Sequence, residues 1–250
     1  MSYGRFAYVY DRLMDDVPYH LWLQFLQTQM KKYSNREMKT ILDLACGTGE
    51  ISVPLAEHGY EVVGIDLSDD MLAVANAKAQ AANQNITFLQ QDMSELQGLG
   101  TFDMIVIFCD SLNYLPSSED VIKTFKHIHT YLKEDGLFFF DVHSVYKMDE
   151  LFIDQTYAVT DEEVSYIWNC FPGESEHSVE HELSFFVRDE GTSLYERFDE
   201  THYQRTYDVY QYKTWLEELG FEILEINGDF DQPVSEQSER IFFSIKKKGR

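Results

Sequence analysis

Three aspartates, Asp43, Asp66 and Asp92, each close a short apolar run, and a turn containing Gly47 and Gly49 follows the first at once. A carboxylate at the end of a buried strand sits where open α/β sheets bind their ligands, outside the carboxyl ends of the strands. The two glycines let the backbone turn sharply and bring a ligand against the main chain with no Cβ in the way. Such a constellation handles a nucleotide-like ligand.

The residues around the turn narrow the choice of nucleotide. A phosphate-binding loop needs Lys and Ser/Thr after its glycines. Here Glu50-Ile51-Ser52 follows, and no lysine occurs between Lys39 and Lys78. A dinucleotide fingerprint needs a third small residue in G-x-G-x-x-G, and counting from Gly47 places Ser52 there. Asp43 and Glu50 flank the turn, which suits a ligand without a pyrophosphate. S-adenosylmethionine, carrying an ammonium and a sulfonium, is favoured on these grounds, with NAD the runner-up. Asp66 lies seventeen residues after Gly49, close to the interval at which an acidic residue meets ribose hydroxyls.

Five near-continuous apolar runs must position these groups. They end at Asp43, Asp66, Asp92, Cys109 and His143, and helical segments separate them. The helix after Asp66 runs from Met71 to Ala79, with Ser68 or Asp69 as its cap. This pattern predicts a doubly wound parallel sheet buried on both faces.

The chain resembles the class I S-adenosylmethionine-dependent methyltransferases, strongly over residues 36–143 and again near 206–248. Asp43-Leu44-Ala45-Cys46-Gly47-Thr48-Gly49 looks like the family's first motif. The resemblance implies a seven-stranded, mostly parallel Rossmann-like α/β sheet whose last strand is antiparallel. It also implies S-adenosyl-L-methionine as cofactor, with Asp43, Ala45, Gly47 and Gly49 on its methionine part and Asp66 on the ribose. Asp92 then bonds the adenine amino group and Met93 flanks the ring. Leu67, Met71 and Asp110 are counted with these cofactor contacts, as is Tyr10 in an aromatic N-terminal segment that closes over the cofactor.

Composition bounds the partners. The chain has 250 residues, 44% of them hydrophobic, enough for one large core with an elaboration. No run of about 18 apolar residues occurs, and the N-terminus leads into no apolar signal region, so neither a membrane span nor secretion is expected. Cys46, Cys109 and Cys170 form no C-x-x-C pair, as expected of reduced thiols in the cytoplasm. A net charge of −24 repels phosphate backbones and disfavours nucleic acid as partner. The basic cluster Lys246-Lys247-Lys248 with Arg250 reads as a solvated tail.

Between Ser144 and Arg205 the chain carries 15 Asp and Glu against 4 Lys and Arg, and its pattern changes to loose alternation. Three antiparallel strands are predicted there, separated by Pro172-Gly173 and Glu190-Gly191. The expected organisation is a methyltransferase core from 1–143 and 206–250, with an N-terminal helical cap from about Tyr19. Residues 144–205 then form a substrate lid.

Methyl transfer from a sulfonium needs alignment and exclusion of water, and a general base only when the acceptor arrives protonated. His143 and Tyr114 are the catalytic candidates on the pocket rim, with Asp110, Asn113 and His202 beside them. His177, His181 and His202 lack metal-ligand spacing, so no metal is expected. Asp110-Ser111-Leu112-Asn113-Tyr114 departs from the Asn/Asp-Pro-Pro-Tyr motif of enzymes that methylate adenine amines or glutamine amides. The expected acceptor is a small molecule, and the assembly allows a homodimer. The alternatives are a tRNA or protein methyltransferase, or a binding regulator without turnover.

Overall fold

Apolar runs long enough to cross a sheet become its central strands. The computed structural model describes residues 17–189 and 191–249. Its main sheet contains β1 (Thr40–Leu44), β2 (Glu61–Asp66), β3 (Thr87–Gln90), β4 (Phe102–Ile107) and β5 (Leu132–His143), all parallel where they pair. Toward the carboxyl terminus it adds β10 (Phe221–Gly228), β11 (Gln232–Pro233) and β12 (Arg240–Lys247). The strand order is β11-β10-β12-β5-β4-β1-β2-β3, and β12 runs antiparallel between β10 and β5. The order reverses between β1 and β4, so a crevice opens there above the strands' carboxyl ends.

Helices cover both faces. α1 (Tyr19–Tyr33), α2 (Ser52–Glu57) and α3 (Asp69–Ala81) lie on one face, and α4 (Ser118–Tyr131) and α5 (Val209–Glu218) on the other. In α1 the buried Trp22, Phe25, Leu26 and Gln29 recur at helical spacing, giving one face to the core. Hydroxyl or carboxylate caps start the other long helices: Ser68 accepts from the Met71 N–H, Ser117 from Asp120, and Asp208 from Gln211. Phe138, Phe139 and Phe140 alternate across β5. Phe138 and Phe140 join Phe125 and Tyr212 in one layer, while Phe139 meets Phe25 in the other.

Between β5 and α5 lies a separate antiparallel sheet in the order β6-β7-β8-β9. Its strands are β6 (Thr156–Val159), β7 (Val164–Pro172), β8 (Ser178–Arg188) and β9 (Tyr195–Arg205). A π-helical turn, Lys147–Phe152, buries Met148 and Phe152 against Cys170 and Val179 and so fastens this sheet to the core.

The strand counts correct the sequence reading. The main sheet has eight strands where seven are expected, because Gln232–Pro233 pairs with Asn227 and Gly228 at the edge. The inserted sheet has four strands, because β6 precedes the three expected ones. β6 is exposed throughout, so it lacks the half-buried alternation by which strands are recognised. β5 starts at Leu132, ahead of Gly136, because its first residues bulge past β4 at Asp135, whose φ is +60°. Tyr10 lies outside the described residues. No helix among the described residues is long and apolar enough to cross a membrane.

Candidate active site at the carboxyl ends of the parallel strands

The turn after β1 is built from left-handed residues. Ala45, Gly47 and Gly49 have φ of +56°, +53° and +85°. Asp43 is buried, and its Oδ2 accepts a 2.5 Å hydrogen bond from the Ser52 hydroxyl. Burial pushes the Asp43 carboxyl up to about 7, with the nearby Asp66 charge adding to the rise and Ser52 opposing it. The Gly47 N–H donates to Asp66 Oδ2 at 2.8 Å, and the Ser68 N–H donates to Asp66 Oδ1 at 2.9 Å. Burial raises Asp66 as well, against these backbone bonds.

The two glycines have different surroundings. A Cβ on Gly49 would come within 3.3 Å of the Ala75 Cβ, so this glycine permits α3 to pack close to the turn. A Cβ on Gly47 would meet nothing within 4 Å. The turn therefore has open space beside Gly47, with the buried Asp43 and half-buried Asp66 carboxylates behind it.

Leu67, directly after β2, is 67% exposed, although a lone leucine gains nothing from water. Met71 and Met93 are half-buried beyond it, and Met93 packs against the core. Both protein hydrogen bonds to the Asp92 carboxylate, from the Ser94 N–H and hydroxyl, fall on Oδ1. Oxygen acceptors, exposed apolar side chains and an open glycine turn fit a nucleoside with an amino-acid tail.

A second cluster lies where β4, β5 and β12 end. Cys109 and Asp110 both have positive φ, at +57° and +53°, a conformation that costs energy in any residue but glycine. Asp141 holds them there by accepting from the Cys109 N–H at 2.9 Å and the Asp110 N–H at 3.0 Å. Asp141 also accepts from the Trp22 indole at 2.8 Å and from Arg240 Nη1. Arg240 Nη2 reaches Asp110 Oδ1 at 2.8 Å. Burial works against the Arg240 charge, but Asp141 and Asp110 more than offset it.

Asp110 Oδ2 takes the Gln204 amide at 2.7 Å and faces His143 Nε2 at 3.3 Å. Burial alone would raise the Asp110 carboxyl, but His143 and Arg240 hold it well below the usual range. His143 is 5% exposed, and its burial lowers its pKa against the pull of Asp110, so the imidazole is neutral at neutral pH. Its Nδ1 is buried without a hydrogen-bond partner. Asn113 ties the region together, accepting from the His143 N–H at 2.9 Å and donating to the Arg205 carbonyl at 2.8 Å. Tyr114 is 49% exposed, with its ring edge-on to His202 at 5.9 Å.

The expected residues thus fall into two groups at one end of the sheet. Asp43, Ala45, Gly47, Gly49, Asp66 and Leu67 line the β1–β2 side, with Met71, Asp92 and Met93 next to them. Asp110, Tyr114 and His143 lie on the β4–β5 side. Sequence reasoning missed Ser52, Asp141, Gln204 and Arg240, which hold these groups in place. Asp141 carried a weak signal, as a carboxylate inside an otherwise apolar strand.

A mostly parallel sheet with a reversed strand beside β5 and a glycine turn after β1 has the architecture of a nucleotide-cofactor transferase. The family model described as "Methyltransferase domain" matches residues 41–136. A protein of Geobacillus sp. (strain WCH70) is 55% identical over 249 residues, covering 99% of this chain and 100% of its own length. YqeM of Bacillus subtilis (strain 168) is 50% identical over 249 residues, covering 99% of this chain and 98% of its own. Both carry methyltransferase names that state no acceptor. The crystal structure of an S-adenosylmethionine-dependent methyltransferase from Clostridium acetobutylicum ATCC 824 is 33% identical, with a TM-score of 0.89 and all of both chains covered. The chain belongs to the class I S-adenosylmethionine-dependent methyltransferases, and S-adenosylmethionine is its methyl donor.

Proposed function

We propose that this methyltransferase acts on a small molecule enclosed by the inserted sheet, and that His143 removes the acceptor's proton. The observation that carries the reading is the His143 imidazole: buried, neutral, facing Asp110 through Nε2, and with Nδ1 free to accept. When bound, S-adenosylmethionine supplies a sulfonium-activated methyl group, and the chain's own task is to align, exclude water and handle the proton. In this reading Nδ1 takes the proton, and the resulting imidazolium is stabilised by Asp110. Tyr114, half-exposed on the rim, contacts the acceptor.

The cofactor-binding roles are part of the same proposal. Asp66 accepts from ribose hydroxyls, Asp92 from the adenine amino group, and Leu67, Met71 and Met93 cover the ring. The main chain at Ala45, Gly47 and Gly49, with Asp43 behind it, receives the methionine portion, and Tyr10 closes over it. Asp110 serves through its strained backbone and its hold on His143, since both of its oxygens are engaged within the protein. Residues 144–205 act as the substrate lid, with 1–143 and 206–250 as the core. Three free cysteines support a reducing, cytoplasmic setting. A homodimer is the proposed assembly, and sedimentation velocity decides it.

Transfer of tritiated methyl groups to metabolite pools, tRNA and whole-cell protein tests the acceptor class. Label is expected in the metabolite fraction, and label confined to tRNA or protein overturns the reading. His143→Gln is expected to slow transfer by about 10²-fold or more; an undiminished rate removes the base role. Calorimetry of Asp66→Ala with S-adenosylmethionine is expected to show binding lost, and retained affinity overturns the ribose assignment.

A further inference from the structure

The donors and acceptors around Asp110 permit only one arrangement. The Trp168 indole N–H can only donate, and it meets His181 Nδ1 at 3.0 Å. His181 Nδ1 is therefore an acceptor, and the neutral ring carries its proton on Nε2. That Nε2 lies 3.1 Å from Gln204 Oε1, so it donates there. Gln204 is buried, and its amide nitrogen donates to Asp110 Oδ2 at 2.7 Å. Turning the amide over would set donor against donor at His181 and oxygen against carboxylate at Asp110. An ionised Asp110 accepts only, and with Oδ2 at 3.3 Å it favours the proton on His143 Nε2. Nδ1 then carries the lone pair, and it is the atom left without a partner.

We propose that Gln204 is a positioning residue: from the inserted sheet it fixes Asp110, which selects the His143 tautomer with Nδ1 free and so presents the base. This rests on the reading of His143 as the proton acceptor. The consequence is that docking of the inserted sheet tunes the base, because Trp168, His181 and Gln204 come from β7, β8 and β9 while Asp110 and His143 belong to the core. Gln204 also shares Oδ2 with His143 and thereby tempers the pull of the carboxylate on the ring. The charged and titratable groups facing His143 are Asp110 from the end of β4, Arg240 from β12, Lys147 from the π-helical turn and His181 from β8. Arg240 and Lys147 favour the neutral ring and Asp110 opposes them. His181 stays neutral over the working range, pushed down to about 4 by burial against its bond to Gln204.

Long-range proton–nitrogen NMR of protein labelled at the histidine ring nitrogens tests this without any acceptor. The eight histidines are separated by the signals lost in His143→Gln and His181→Gln. His143 and His181 are both expected as the neutral Nε2–H form at neutral pH. Gln204→Met keeps the side-chain length but cannot donate; Asp110 then pulls harder on His143. Its titration midpoint is expected to rise by about half a pH unit to one unit. A wild-type His143 protonated on Nδ1 overturns the proposal, and that result needs no variant to fold. So does an unmoved midpoint in a folded Gln204→Met protein. Full methyl transfer by His143→Gln, read in the separate activity assay, overturns the base reading itself and leaves the tautomer result standing.

Discussion

At the scale of single residues, the site concentrates buried charge and then neutralises it locally. An unpaired buried ion costs several kcal/mol, so Arg240 between Asp110 and Asp141 is a condition of keeping either carboxylate. Among the described residues Asp43 has no such cation, and its value near 7 lies far above that of an unfolded aspartate. The folded protein therefore holds a proton that the unfolded chain has lost over the interval from about 4 to about 7. Across that window stability falls as pH rises, by at most about 1.4 kcal/mol per unit from this group, and the loss is complete above it. Asp43→Asn cannot titrate and still meets the Ser52 hydroxyl. Its melting temperature is expected to gain on the wild type from about pH 5 to about pH 7 and to hold that lead up to about pH 8. A constant difference across that range means Asp43 is ionised throughout. The aspartates were legible in the sequence because each ends an apolar run. Arg240 was not, since its partner Asp110 lies 130 positions away and no local pattern reports the contact.

At the scale of elements, the turn between β1 and α2 separates folding from binding in two glycines on either side of Thr48. Both sit at positive φ, so alanine at either carries a backbone cost of roughly 1–2 kcal/mol. Gly49→Ala adds a 3.3 Å contact with Ala75 and must push α3 away, so a further loss of stability is expected. Gly47→Ala meets no protein atom, and its methyl group occupies the open side of the turn. It is expected to keep most of the melting temperature and to lose at least about tenfold in S-adenosylmethionine affinity, or about 1.4 kcal/mol. Melting curves and calorimetry on both variants check the pair. Equal affinity in Gly47→Ala and wild type would place the cofactor elsewhere. The central strands were readable because burial on both faces demands continuous apolar sequence. The glycine turn was readable because left-handed backbone favours glycine. β6 and β11 were not, because both strands are exposed and take their structure from a neighbour's hydrogen bonds. Gln204 looked like one more polar residue on an alternating strand, and its role emerges only when β9 is laid over Asp110.

At the scale of the whole molecule, the dominant physical fact is the net charge of −24. Its field reaches about 10 Å at 0.1 M salt and about 30 Å at 0.01 M, so it acts on an arriving acceptor mainly at low ionic strength. An anionic acceptor is repelled, and screening helps it; a cationic one is steered in, and screening hinders it. Methyl transfer to the metabolite identified by the labelling screen is therefore expected to show a salt response whose sign reports the acceptor's charge. The measurement is kcat/KM between about 0.01 M and about 0.2 M salt, with kcat followed separately. A cationic amine gives a kcat/KM that falls with salt while kcat holds, because the effect lies in encounter and leaves the enclosed chemistry untouched. A neutral acceptor gives a flat response. A kcat that moves with salt locates the effect inside the site, in the Asp110, Arg240 and Asp141 cluster, where buried charges are screened little. That result would contradict the enclosure on which the proposed role of the inserted sheet depends.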